Sequence, residues 1–385
     1  MRVMRAEPGR FADVAARSVG AVWRAYDLQL SVYAALLAAF GLVMAYTNSV
    51  ESGESLLTGT VFQRALMWSA IAMVVYIVMT VFDYRWLKTL AWPIYFVNLG
   101  LLVMTLAIGD GVGGSARWVG FGPVQFQFSE LAKILMIIVL ATYLGNREGR
   151  LDSIWSIGGA CLLMGPAVAL VMLQPDLGSS LVLASILAGM LFLSGASLRW
   201  LLAMAGILLA AIPIAWTYLL RDYQKDRILS FLSPAADAQG SGYQVAQAQL
   251  TVGSGGVLGV GLTNGSLVRG GFLPVQESDF VFPVLAQELG FIGAVVVFLL
   301  FMALLWRILS CAWRSRDPFG TMFGAGLATA VLVQVFVNVG MGIGLLPVTG
   351  IPLPFISHGG ASLISLAIGL GVIQSVNIRQ HRAEW

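Results

Sequence analysis

The chain has 385 residues, 58% of them hydrophobic and only 11% charged, with a mean hydropathy of +0.85. Soluble domains carry about a quarter charged residues, so this composition excludes a soluble globular protein and predicts a polytopic membrane protein with one helical domain. The formal charge of +3 is small, so its distribution matters more than its sum, and a soluble nucleic-acid or nucleotide-binding role finds no support.

Residues 1–28 read as a basic cytoplasmic segment. Arg10, Arg17 and Arg24 recur every seven residues, while Phe11, Ala15, Val19 and Val22 lie on another face interrupted only by Ser18. This pattern fits an amphipathic helix on the anionic inner leaflet; a plain orientation signal is the alternative. The segment lacks the apolar core of a cleavable signal peptide, so the first span is expected to serve as the signal.

A bilayer core needs about 20 apolar residues per helix. Ten runs qualify, at 29–47, 63–82, 87–108, 130–145, 154–173, 177–195, 199–220, 281–306, 320–346 and 359–378. Fifteen of the 22 Lys and Arg residues fall on one side of this topology and seven on the other, which places both termini in the cytoplasm. The predicted fold is therefore an all-α polytopic membrane protein. A membrane domain over 29–378 includes one large extracytoplasmic segment, 221–280, between the seventh and eighth helices, and a cytoplasmic tail follows over 379–385. Cys161 and Cys311 lie in or beside apolar runs far apart in sequence, and suggest neither a disulfide framework nor a metal site.

A carrier usually places ionisable groups near the bilayer midplane. Here the middles of the spans are nearly free of charge, and the unusual polar residues gather at outer helix ends. That suits a site at the outer surface, where a substrate keeps a lipid tail in the bilayer and a polar head in water. Glu130 and Lys133, three apart on one helix face, read either as a structural ion pair or as a cation for an anionic head group with its supporting carboxylate. Asp176 follows Pro175 and reads as the N-cap of the sixth helix.

Segment 221–280 opens with Arg221, Lys225 and Arg227 among Asp222 and Asp226, a pattern that also fits a solvated helix end. Residues 243–252 have the spacing of a short interfacial helix. The glycine-rich run 253–261 lacks the preceding strand that a nucleotide-binding loop needs. It is expected to make tight turns or close backbone approaches, with backbone contact to a phosphate as the alternative. Glu277 and Asp279 then stand against a long apolar run, where an ionised carboxylate is costly and usually has a job or a partner. Asp279 either caps the eighth helix or acts as a base strengthened by partial desolvation against Phe280 and Phe282. As a base it would accept a proton from a sugar hydroxyl attacking an activated carbon.

Six stretches carry a resemblance in order along the chain: GGSARWVGFGPVQFQFSELAK (113–133), QPDLGSSLVL (174–183), DRILSFLSP (226–234), GYQVAQAQLTVGSGGVLGVGL (242–262), FLPVQESDFVFPVLAQELG (272–290) and NVGMGIGLLPVTGIPLPFISHGGASL (338–363). Together they resemble the SEDS family of bacterial cell-wall proteins, which includes RodA, FtsW and the sporulation homologue. The resemblance implies a peptidoglycan glycosyltransferase in the bacterial cytoplasmic membrane. Such an enzyme polymerises lipid II onto glycan carried by undecaprenyl pyrophosphate, beside a class B penicillin-binding protein that crosslinks the strands. The family's essential acidic residue maps onto Asp279, its SELAK motif onto Glu130 and Lys133, its QPDLG motif onto Asp176, and its basic position before FLSP onto Arg227.

Lys133 and Arg227, with Arg117 and Arg221 behind them, become candidates for stabilising the leaving pyrophosphate. The sequence departs from the family at Glu277-Ser278, where His-Thr is usual, and at His358 and Ala361, where Tyr and Ser are usual. Glu277 would raise the pKa of Asp279 or help bind a cation. His358 would hydrogen-bond a head group or pack at a helix end. A divalent cation is compatible with the surplus of outer carboxylates, although no ligand spacing demands one. Pro352 in TGIPLPFIS resembles the elongation type, RodA, more than the division type. Two rival readings remain: a lipid II flippase, which needs a polar route through the bilayer, and a noncatalytic scaffold for the penicillin-binding protein.

Overall fold

The structure, a computed structural model, describes residues 26–51, 61–109, 117–121, 124–147, 153–233, 240–265 and 279–380. In chain order its elements are α1 (Leu28–Glu51), α2 (Val61–Val81), α3 (Tyr84–Thr89), α4 (Ala91–Ile108), β1 (Val119–Phe121), β2 (Val124–Phe126), α5 (Phe128–Gly145), α6 (Ile154–Leu173), α7 (Leu177–Leu193), α8 (Leu198–Ile214), α9 (Asp222–Leu232), α10 (Ser241–Ser254), α11 (Val281–Trp313), α12 (Pro318–Gly342) and α13 (Gly360–Gln380). A π turn over Ala215–Leu219 prolongs α8. Among the described residues, nine helices are long and apolar enough to cross a membrane, and α7 is a shorter apolar helix of 17 residues. Apolar runs fold this way in lipid because a helix satisfies its backbone N–H and C=O groups internally. The protein is an all-α, multi-pass membrane protein.

Helices α5, α12 and α13 form the middle of the bundle and bury residues on most of their surface. By contrast, none of the residues Leu198–Ile214 of α8 is buried, so this helix stands at the periphery with its side chains free for lipid. At the end predicted to be cytoplasmic, charged pairs tie the helices together. Lys88 meets Asp317 at 3.2 Å and Arg379 meets Asp83 at 3.4 Å. Asp27 pairs with Arg307, and its carboxylate also accepts from Cys311 Sγ at 3.3 Å and from Leu30 N at 3.0 Å. Burial alone would raise the pKa of Asp27, but these donors outweigh it and hold the group below its ordinary value.

Four features differ from, or lie beyond, the sequence reading. The loop expected over 109–129 contains a two-stranded antiparallel hairpin, with Val119 opposite Phe126 and Gly120 opposite Gln125. The eighth span is broken: Gly290 has φ 67° and ψ −168°, which separates a short buried helix, 281–289, from the long one that follows. Among its described residues, segment 221–280 holds two helices, α9 and α10, the second covering the predicted interfacial helix. The N-terminal amphipathic segment and Glu277 lie outside the described residues.

The break in α11 explains the glycine-rich run. A broken helix leaves carbonyls above the break and N–H groups below it without helical partners. Residues 255–261 supply them. Val260 N donates to Gln287 O at 3.0 Å and Gly261 N to Glu288 O at 3.1 Å. In the other direction, Phe291 N donates to Gly256 O at 3.0 Å and Ile292 N to Val257 O at 3.2 Å. Two side chains reinforce this splint: Gln287 Nε2 donates to Ser254 Oγ at 2.9 Å, and Glu288 Oε1 accepts from Thr263 N at 3.0 Å. Two backbones can lie this close only without intervening side chains. At Gly290 an added Cβ would be 2.6 Å from Val257 O, and at Gly259 it would be 2.7 Å from Gly290 N. The glycines therefore serve close backbone approach, and the backbone groups of Gly256, Val257, Val260 and Gly261 are spent on α11.

Candidate active site

At the end of the bundle predicted to face outward, the turn at residues 348–351 gathers groups from four distant parts of the chain. Asp279 is half-buried and sits in the turn that leads into α11. Phe280, with no side-chain cap bond, occupies the N-cap position of that helix. The Asp279 carboxylate lies beside the 348–351 turn, since a Cβ added at Gly350 would stand 3.4 Å from its Oδ2. Phe280, Val284, Val245, Ala248 and Val348 form a small apolar cluster around the start of α11.

Arg227, on α9, reaches the same turn and donates from Nη1 to Val348 O at 3.2 Å. The amide of Asn338, on α12, donates to Asp279 O at 3.0 Å and to Ile351 O at 2.8 Å. The N-terminal turn of α7 closes the other side: a Cβ at Gly178 would be 2.8 Å from Thr349 O. The loop thus draws together residues that are far apart in sequence.

Asp176 is 2% exposed and caps α7. Its Oδ1 accepts from Ser179 N at 3.0 Å, and its Oδ2 accepts from Gln127 Nε2 at 2.8 Å and Ser129 Oγ at 3.0 Å. The Ser179 bond caps α7 itself, and the Gln127 and Ser129 bonds pin the start of α7 to the start of α5. One turn further along α5, Lys133 donates to Glu130 at 2.7 Å, with side chains 4% and 5% exposed. The pair is dry. An ammonium has three N–H donors, of which the Glu130 bond uses one.

The remaining candidates stand further out. Arg117 is half-buried just before β1, and its Nε is buried with no partner among the described residues. Arg221 is exposed and begins α9, its N–H donating to Gln224 Oε1 at 3.0 Å. His358 lies at the opposite end of the 348–358 loop from the Asp279 turn. Its Nε2 bonds Val61 O at 2.7 Å, beside a small open cavity that also borders Trp68, Ser69 and Gly360. Burial pushes its pKa below the ordinary value, against the opposing pull of the Val61 carbonyl. Glu277 lies outside the described residues. Among the described residues, no three His, Cys, Asp or Glu side chains group to hold a metal ion.

Asn338 and the Gln287–Ser254 contact were not singled out from the sequence. The only signal was a polar residue within a long apolar run, which hydrophobic periodicity does not interpret.

The sequence model of the FtsW/RodA/SpoVE group of cell cycle proteins matches residues 28–382. The chain belongs to this family. The peptidoglycan glycosyltransferase MrdB of Escherichia coli K12 is 39% identical to this family member over 316 residues, covering 82% of this chain and 85% of that protein. A chain from a solved peptidoglycan synthase complex, described as coordinating polymerization and crosslinking, superposes with a TM-score of 0.78. It shares 32% identity and covers 92% of this chain and 98% of its own. The rod shape determining protein RodA of Thermus thermophilus superposes with a TM-score of 0.69 at 29% identity, covering 93% of this chain and 98% of that one. The folds agree across nearly the whole chain.

Proposed function

We propose that this SEDS protein is a peptidoglycan glycosyltransferase that polymerises lipid II into glycan strands at the outer face of the cytoplasmic membrane, for cell elongation and shape. The observation that carries the reading is the convergence of Asp279 and Arg227 on the 348–351 turn, a carboxylate and a guanidinium held at one membrane surface. A glycosyl transfer from a lipid pyrophosphate needs a base at the attacking hydroxyl and positive charge at the leaving group.

In the proposed reaction the growing strand, on undecaprenyl pyrophosphate, is the donor, and lipid II is the acceptor. Asp279 takes the proton of the acceptor's GlcNAc 4-hydroxyl. The oxygen attacks the donor's anomeric carbon from the face opposite the pyrophosphate, the C–O bond to pyrophosphate breaks, and the configuration inverts from α to β. The electron pair and negative charge leave with the lipid pyrophosphate. Arg227, held on the 348–351 turn beside Asp279, meets that charge, with Lys133, Arg117 and Arg221 as further donors. Glu130 holds Lys133 and Asp176 holds the helix start beside it. No covalent enzyme intermediate is required. The partner is a class B penicillin-binding protein, which crosslinks the product.

The test reconstitutes the purified chain with its penicillin-binding protein, blocks that partner's transpeptidase with a β-lactam, and supplies lipid II. Glycan strands are the expected product. Translocation of labelled lipid II across proteoliposomes without polymer would overturn the reading in favour of a flippase, a role that the scarcity of charge at mid-span disfavours. Neither polymer nor translocation, with a stable complex, would leave the scaffold.

A further inference from the structure

We propose that Asn338 is a positioning residue for the transfer reaction: its side-chain amide fixes the main chain of Asp279 against the 348–351 turn. The inference rests on the reading of Asp279 as the base. Asn338 sits on α12 and is 0% exposed. Its Nδ2 donates to Asp279 O at 3.0 Å and to Ile351 O at 2.8 Å. Both partners are carbonyls, which only accept, so the amide orientation is determined: reversing it would place an oxygen against two oxygens. The two N–H groups of one side chain are thus both committed, one to each segment.

The two segments it joins are those that face each other across the site. On one side the Asp279 carboxylate rests against Gly350. On the other, two residues along the same turn, Val348 O receives Arg227. Fixing Asp279 O relative to Ile351 O therefore fixes the carboxylate relative to the arginine. Asp279 precedes the N-cap Phe280 and so lies outside the helix itself. Helix α12 is among the most buried in the bundle and gives the amide a rigid base. A polar group inside a membrane helix is costly unless it is satisfied or used, and here its donors are spent on two loop carbonyls rather than on another helix. Asn338 touches no reacting atom. It acts through Asp279, and its loss should appear in turnover while substrate capture is kept, since displacing a reacting group by about 1 Å costs on the order of 100-fold.

The test uses the full chain in complex with its penicillin-binding protein, comparing wild type, Asn338→Leu, Asn338→Asp and Asp279→Asn. Leu keeps the volume and removes both donors, whereas Asp keeps the shape and turns an oxygen toward both carbonyls. Turnover number and KM for lipid II are measured beside the melting temperature of each complex. The expected result is a loss of turnover of about 10- to 100-fold in both Asn338 variants, with KM within about twofold and the complexes folded. Turnover within twofold of wild type in a folded Asn338 variant, while Asp279→Asn is inactive, would overturn the proposal and leave the base reading standing. Loss of folded complex in both Asn338 variants would overturn it in favour of a purely structural role. Retained turnover in Asp279→Asn would remove the base reading, and this proposal with it.

Discussion

The splint across the break in α11 makes a quantitative prediction for Gly259→Ala. Gly259 has φ +79°, a conformation that costs an L-residue about 1–2 kcal/mol. Its new Cβ would stand 2.6 Å from Glu288 C and 2.7 Å from Gly290 N, both backbone atoms that cannot rotate away. Overpacking of this kind typically costs about 1–3 kcal/mol, so the splint should weaken by about 2–5 kcal/mol. At about 1.4 kcal/mol per factor of ten, local opening should become about 30-fold to several thousand-fold more frequent. Amide hydrogen exchange reads this directly. The amides of Val260, Gly261, Phe291 and Ile292, which bridge the break, should exchange faster by that factor. Gly253→Ala is the control: an added Cβ there meets nothing within 4 Å, and in a helix it should be neutral or stabilising by up to about 1 kcal/mol. Equal exchange at the break in the two variants would refute the claim that the glycine run splints α11.

Asp176→Ala should lower the melting temperature more than Asp176→Asn, because it strands the Gln127, Ser129 and Ser179 donors together; the cost of lost cap and buried bonds is about 2–4 kcal/mol, and equal melting would contradict the account. Lys133→Met leaves the Glu130 carboxylate buried without its partner and should destabilise by about 3–5 kcal/mol. Adding Glu130→Leu should recover most of that stability without restoring polymerisation, and recovery of both in the double variant would remove Lys133 from the site. His358 has a folded pKa below its ordinary 6.5, so the unfolded chain takes up the proton first. Stability should therefore fall as pH drops from about 6.5 through the lower folded value. His358→Gln should flatten that part of the melting-temperature profile, and an unchanged profile would show that the histidine contributes nothing to it.

The membrane helices were legible in the sequence because lipid demands long apolar runs, and most predicted span edges fall within a few residues of the helices found. The interruption at Gly290 was not. The apolar run continues through it, and the cause is the 255–261 backbone, which lies elsewhere in the chain. For the same reason the glycine run could be assigned close approach from composition but not a partner. The candidate residues were legible one at a time, through their cost in an apolar setting. Asp176 carried a readable cap signal, Pro followed by Asp before a helix, and the structure shows that cap. The meeting of Asp279 with Arg227 was hidden because a third segment, 348–351, mediates it. Asn338 was hidden because its hydrogen bonds go to carbonyls of two other segments, which no local pattern records. The hairpin at 119–126 has strands of only three residues, too short for an alternating pattern to stand out.

The central claim is that Asp279 removes the proton from the attacking hydroxyl. The measurement that tests it most directly is the turnover number of Asp279→Asn at saturating lipid II, in an intact complex with the penicillin-binding protein whose transpeptidase is blocked. General-base catalysis contributes about 100- to 10,000-fold, so the account predicts a loss at least that large with the complex unchanged. Turnover within tenfold of wild type would contradict it and move the search for the base to Glu277.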